Sequence, residues 1–142
     1  MTEAQPRVEL YVRSLAPTDG RAEQERVVRL LRDLEASGRI AEFELVVCGD
    51  CVCPSLLTAQ TDLGRRLLGR YREFEQWAEQ RGRRLVGFEH RHVDSEFRDD
   101  SVTAIHFPRL ALAEYRDRDL TFVAPSRTDG TASTVTGRLQ QY

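Results

Sequence analysis

Residues 7–13 read RVELYVR, and this stretch decides the fold expected for the chain. Its valines and leucine alternate with Glu9 and Tyr11, which is the period of two expected for a half-buried β-strand. Residues 27, 30, 31 and 34 are then apolar at helical spacing, and Gly38 suits the end of that helix. Residues 43–47 alternate again, so the chain opens with a β-α-β unit, whose strands are normally parallel.

Further elements follow outward from this unit. Gly49 and Asp50 suit a tight type II′ hairpin turn that leads into a short strand at 51–53. A second amphipathic helix is predicted from about 61 to 81. We expect strands at 85–93 and 102–107, a hairpin at 110–115 and 120–124, and a short final helix that contains Val135 and Leu139. The apolar stripe of the second helix consists of Leu63, Leu67, Tyr71, Phe74, Trp77 and Ala78.

This order of elements predicts an α+β protein of one domain, residues 1–142. The arrangement expected is a ferredoxin-like two-layer sandwich with an added C-terminal hairpin and both long helices on one face of the sheet. If the short strand at 51–53 does not form, a mixed α/β sheet is the alternative.

The composition limits the classes of function. The chain has 21 arginines and neither lysine nor asparagine, which indicates a GC-rich genome, so arginine abundance alone does not indicate nucleic-acid binding. The formal net charge is −2, which gives no global attraction for DNA or an anionic membrane. No apolar run approaches the roughly 20 residues that span a bilayer, and the N-terminus lacks a signal-peptide pattern. We therefore expect a cytoplasmic protein that does not associate with membranes.

Local clusters of basic residues are the candidates for DNA contact. They lie on the second helix and just after it, and consist of Arg65, Arg66, Arg70, Arg72, Arg83 and Arg84. Acidic residues alternate with the helical arginines, as on an ordinary solvated helix, and cations at a helix C-terminus also suit its dipole.

Cysteines and histidines are the candidates for a metal or redox site. Cys48 and Cys51 form a C-x-x-C turn with Cys53 close by, which could hold zinc or act as a thiol pair. His90 and His92 share a strand face, and a register pairing residue 90 with 106 would bring His106 beside them. Both sites are incomplete by sequence, so we expect no cofactor, with zinc as the alternative. No catalytic or nucleotide-binding motif is present, and we expect no enzymatic activity.

Several segments resemble a small family of haloarchaeal proteins often labelled as helix-turn-helix domain proteins. They are residues 8–17, 52–55, 77–79, 107–108, 112–115 and 123–125. The resemblance implies a transcription-associated role in DNA binding. Cys48, Cys51, His90 and His92 depart from the residue types common in that family. A strand and a hairpin are predicted between the two long helices, whereas a helix-turn-helix joins its helices by a turn of about three or four residues.

The sequence therefore leads to three hypotheses of function. The first is a non-enzymatic regulatory or assembly module that forms a homodimer, or binds another protein, through an exposed sheet face. The second is a transcription-associated DNA-binding protein, and the third is a Cys/His metal-binding or thiol redox protein.

Overall fold

The computed structural model describes residues 5–49, 62–94 and 101–142 and confirms the α+β class. The helices of this part of the chain are α1 (Arg21–Ala36), α2 (Asp62–Gln80) and α3 (Val135–Leu139). Its strands are β1 (Arg7–Val12), β2 (Glu42–Val47), β3 (Arg84–Leu85), β4 (Glu89–Asp94), β5 (Ser101–His106), β6 (Leu110–Arg116), β7 (Asp119–Ala124), β8 (Ser126–Thr128) and β9 (Thr131–Ser133).

The main sheet has four strands in the order β2-β1-β6-β7. β1 and β2 are parallel, as the β-α-β pattern predicts, while β6 is antiparallel to both β1 and β7. The sheet is therefore mixed. The hairpin predicted at 110–115 and 120–124 forms β6 and β7, which are two of the four strands of this sheet. The ferredoxin-like strand order is not seen in the described residues. The short strand predicted at 51–53 lies outside the described residues.

The helices cover both faces of the sheet. Val8, Leu10 and Val12 of β1 pack with apolar residues of α1 and α3 in one buried cluster. Tyr11 packs with apolar residues of α2 in another cluster on the opposite face. The expectation that both long helices share one face is therefore wrong. The physical reason lies in β1 itself, whose residues from Val8 to Val12 are all buried, so both of its faces require a covering helix.

Most of the apolar stripe predicted for α2 is confirmed. Leu67, Phe74 and Trp77 are buried, with Tyr71 and Ala78 beside them. Leu63 is different, because 44% of its surface is exposed at the start of the helix. The short final helix is also confirmed, and its Val135 and Leu139 are both buried.

The strand predicted at 85–93 is divided in two. β3 pairs with β8 in a three-stranded sheet, whereas β4 pairs with β5 in a separate two-stranded sheet. Gly87 lies in the connection, with a φ of +80°, and an added Cβ would lie 2.8 Å from the Cβ of Pro108. The chain can bend at Gly87 because glycine adopts a positive φ without strain and has no Cβ that would collide with Pro108.

Candidate functional site

Two of the four α2 arginines proposed for DNA contact, Arg66 and Arg70, lie next to a buried carboxylate of the sheet. Glu9 is fully buried on β1 and faces α2. Arg70 binds it in bidentate fashion, with Nε 3.1 Å from Oε1 and Nη2 2.9 Å from Oε2. Arg66, one turn earlier, lies 3.3 Å from Oε2, Arg7 contacts the same oxygen at 2.6 Å, and the Tyr11 hydroxyl donates to Oε1. We call these five residues the Glu9 cluster.

The electrostatics keep Glu9 ionised. Burial raises the pKa of its carboxyl, but hydrogen bonds from Tyr11, Arg7 and Arg70 and the charge of Arg70 outweigh that effect, so the pKa lies below its ordinary value. The pKa of Tyr11 is raised by burial and by the neighbouring carboxylate, so its hydroxyl keeps its proton. The cluster is consequently a buried set of charge-assisted hydrogen bonds between the sheet and α2.

Two further carboxylates complete the neutralisation of these arginines. Arg66 also binds Glu44 of β2 at 2.7 Å and 2.8 Å, and Arg70 also binds Glu73 at 2.8 Å. Both guanidinium groups are therefore occupied by carboxylates within the fold. The structure does not present Arg66 and Arg70 as open cations for DNA, although the sequence identified them as candidates.

The other face of the sheet carries a similar pair. Glu114 of β6 has a side chain only 1% exposed, and Arg138 of α3 lies 2.9 Å from both of its oxygens. Burial raises the pKa of Glu114, but the hydrogen bonds from Thr121 and Arg138 and the charge of Arg138 bring it below its ordinary value. Each face thus has one buried carboxylate that is bound by arginine from the covering helix.

The remaining candidate arginines differ in their surroundings. Arg65 pairs with Asp62 at 2.7 Å, while Arg72 is exposed and has no ion-pair partner among the described residues. Arg83 donates to the hydroxyls of Ser126 and Ser133 at 3.1 Å and 2.9 Å, so it links the end of α2 to β8 and β9. Its guanidinium also lies over the rings of Trp77 and Phe122, at 5.8 Å and 5.2 Å from their centres.

Arg84 meets a second arginine that sequence reasoning missed. Arg84 of β3 and Arg127 of β8 are directly opposite each other in the antiparallel register. Both are exposed, and neither has an ion-pair partner within residues 5–49, 62–94 and 101–142. They line a depression of about 260 Å³ together with Gly82, Thr128, Asp129 and Gly130. We call these two residues the arginine pair; no local pattern reveals it, because 43 positions separate its members in the chain.

The proposed cysteine site is only partly described. Cys48 is buried, and its thiol donates to the carbonyl of Val12 at 3.3 Å. Cys51 and Cys53 lie outside the described residues. No group of three or more potential metal-ligating side chains occurs in the part of the chain that is described. The zinc and thiol redox hypotheses therefore stay predictions.

The register expected for the histidines is wrong by one residue. His106 pairs with Glu89, whereas His90 pairs with Ile105 and His92 with Thr103. Paired positions lie on the same face of the sheet, so position 106 shares a face with position 89. Positions 90 and 92 lie on the opposite face, because a slip of one residue reverses the faces of a strand. The side chains of His90 and His92 lie outside the described part of the structure.

Comparison with known families gives a match over the whole chain. Residues 1–142 match the family described as "Helix-turn-helix domain". The chain belongs to this family. Such a domain indicates a DNA-binding or regulatory function and gives no indication of catalysis. Neither the curated proteins nor the solved structures give a significant match.

The two long helices, α1 and α2, do not form a helix-turn-helix with each other. β2 separates α1 from α2 along the chain, and the two helices pack on opposite faces of the sheet. In a helix-turn-helix, the second helix enters the major groove directly after a short turn. The part of α2 that faces the sheet is buried, and three of its arginines are paired. No helix of the described residues is long and apolar enough to cross a membrane.

Proposed function

We propose that this protein is a non-enzymatic regulatory protein that contacts the DNA backbone through the arginine pair. Membership of the helix-turn-helix domain family supports the regulatory class. The observation that carries the DNA contact is the exposed position of Arg84 directly opposite Arg127, without an acidic partner for either among the described residues.

Arg84 and Arg127 carry like charges at directly opposite positions and therefore repel each other. Directly opposite side chains of antiparallel strands have Cβ atoms about 4.5–5.5 Å apart, and like charges in such positions destabilise the sheet. A phosphate between two guanidinium groups would relieve that repulsion, because each planar group can donate two hydrogen bonds to oxyanion oxygens. Asp129 at the same depression leaves a formal excess of one positive charge.

This contact should be insensitive to DNA sequence. Contacts to phosphate position a protein on the duplex, whereas base edges in the grooves carry sequence information. The helical arginines Arg66 and Arg70 are held by carboxylates and do not add to this surface. The proposal therefore predicts DNA binding that weakens as the salt concentration rises.

Fluorescence anisotropy with a labelled duplex at several salt concentrations tests this proposal. The double variant Arg84→Gln and Arg127→Gln should bind more weakly. Its slope of log K against log salt should be shallower by about 0.9 for each phosphate that the variant no longer neutralises. The matched control is Arg72→Gln, which removes an exposed arginine of α2 that has no ion-pair partner in the described residues, and it should leave both quantities unchanged.

Two outcomes would overturn the proposal. One is the absence of wild-type binding even at low salt. The other is a double variant with the same affinity and slope as Arg72→Gln. The thermal melting temperature of each variant would be measured first, so that an unfolded variant is distinguished from a folded variant that binds DNA weakly.

Homodimer formation stays a prediction. It depends on an exposed sheet face, whereas α1 and α3 cover one face of the main sheet and α2 covers the other. Sedimentation over a range of protein concentrations tests it: a single monomeric species at every concentration would contradict it.

A further inference from the structure

A cavity of about 310 Å³ lies at the carboxyl end of β1, separate from the arginine pair. Its walls include Arg13, Thr18 and Asp19 of the loop after β1, Gln24 of α1, and Arg109 just before β6. We infer that this cavity binds a small oxyanion, the carboxylate or phosphate group of a small-molecule ligand.

The topology defines this end of the sheet. α1 connects β1 to β2 on one side, whereas β6 lies on the other side of β1. β6 runs antiparallel to β1, so the carboxyl end of β1 lies beside the start of β6. The cavity lies at that position, because Val12, the last residue of β1, pairs with Leu110, the first residue of β6.

Arg13 provides an oriented guanidinium group at the cavity. It is partly buried, and its Nε donates to the carbonyl of Phe107 at 2.9 Å. That hydrogen bond fixes one edge of the planar group. Its terminal nitrogens have no hydrogen-bond or ion-pair partner in the described residues, so they can donate to an oxyanion.

Arg109 provides the second guanidinium group, and the loop before α1 leaves room for it. An added Cβ at Gly20 would lie 3.0 Å from Nη1 of Arg109, and Gly20 has a φ of +72°. A residue with a side chain would therefore be strained and would crowd the arginine. Arg109 is exposed and has no ion-pair partner within the described ranges.

The charge and the existing hydrogen bonds favour an anion as the ligand. Arg13 and Arg109 outweigh Asp19 by one formal charge at this cavity. The buried amide of Gln24 donates to the carbonyl of Ser14 at 2.7 Å, which ties the loop to α1. Two arginines from separate parts of the chain suit the two or three acceptor oxygens of a carboxylate or phosphate.

Nuclear magnetic resonance titration of the full chain with inorganic phosphate, and separately with succinate, tests this inference. Chloride at matched ionic strength is the reference. We expect saturable shifts of the amide signals of residues 13–16, 18–20 and 109 with at least one of the two anions. Saturation with phosphate alone or succinate alone identifies which oxyanion group is bound.

Variants then connect the binding to the arginines. Arg109→Gln should weaken the affinity about tenfold or more, because it removes a hydrogen-bond donor with a full charge. Arg118→Gln, an exposed change in the turn after β6, is the matched control and should leave the affinity unchanged. Arg13→Gln is the second variant and should weaken binding similarly.

The inference is overturned if neither anion gives saturable shifts at these residues beyond those with chloride. It is also overturned if Arg109→Gln binds as well as Arg118→Gln does. The double variant Arg84→Gln and Arg127→Gln should keep its anion affinity, so failure of the DNA proposal and failure of this inference are distinguishable.

Discussion

At the scale of single residues, Glu9 is a fully buried carboxylate that needs compensating partners. A carboxylate without solvent contact is stable only when its charge and its lone pairs are satisfied by neighbours. In this protein those neighbours come from two elements: Arg7 and Tyr11 on its own strand, and Arg66 and Arg70 on α2. Glu9 therefore links β1 to α2 through buried hydrogen bonds.

The substitution Glu9→Gln should destabilise the protein strongly. It leaves the surrounding guanidinium groups partly buried without the charge that compensates them. Breaking a buried pair in this way costs about 3–5 kcal/mol of the free energy of unfolding. Denaturation in guanidinium chloride measures that free energy.

Glu44→Gln is the control for this prediction. Glu44 also binds Arg66, but 48% of its side chain is exposed, so its substitution should cost under about 1 kcal/mol. Equal decreases in stability for the two variants would contradict the central role assigned to Glu9.

At the scale of elements, Arg83 joins the end of α2 to the small sheet formed by β3, β8 and β9. Its planar group donates to one serine on each of β8 and β9 while it lies over two aromatic rings. Lysine has no planar group of this kind and cannot make the same set of contacts. The adjacent Arg84 suits a different role, since it is exposed and has no ion-pair partner in the described residues.

Arg83→Lys should therefore loosen β8 and β9 while leaving the main sheet intact. We expect faster hydrogen exchange at the amides of residues 126–133, with β1 and β6 unchanged, because a segment can open locally once the interactions that hold it are weakened. Arg84→Lys is the neighbouring control and should leave the exchange of both regions unchanged. Similar protection of residues 126–133 in the two variants would show that Arg83 is not the link.

At the scale of the whole molecule, the sheet is held between helices by apolar packing and by a buried carboxylate on each face. Glu9 binds arginines of α2, and Glu114 binds Arg138 of α3. Both carboxyls have a pKa below the ordinary value of 4.5. A group whose pKa is lower in the folded state stabilises that state above its unfolded pKa, and this contribution is lost as the pH falls through the folded pKa.

Acidification should therefore destabilise the protein progressively below about pH 5, as Glu9 and Glu114 are protonated in the unfolded chain before the folded one. Denaturant midpoints measured at a series of pH values test this. The variant Glu114→Gln should be less stable near neutral pH and should lose less stability on acidification. An equally steep pH dependence in that variant would exclude Glu114 as a source of the effect.

The sequence determined by itself the features that depend on neighbouring residues. Periods of two and of 3.6 predicted β1, α1, β2, α2 and the β6–β7 hairpin, and the parallel β1–β2 pair followed from chain connectivity. The α+β class is a consequence of that order. Candidate arginines could be named in the same way, because they are adjacent in the chain.

Only the tertiary structure decided which face each element covers and which partner each charge has. The sequence pattern of β1 predicts a strand buried on one face, yet Glu9 and Tyr11 are as buried as the valines beside them. Arg66 and Arg70 bind carboxylates of β1 and β2, which are distant in the chain. Arg84 instead lies opposite an arginine of β8. Such pairings depend on register and layer order, and these are selected by the packing free energy of the whole chain rather than by local periodicity.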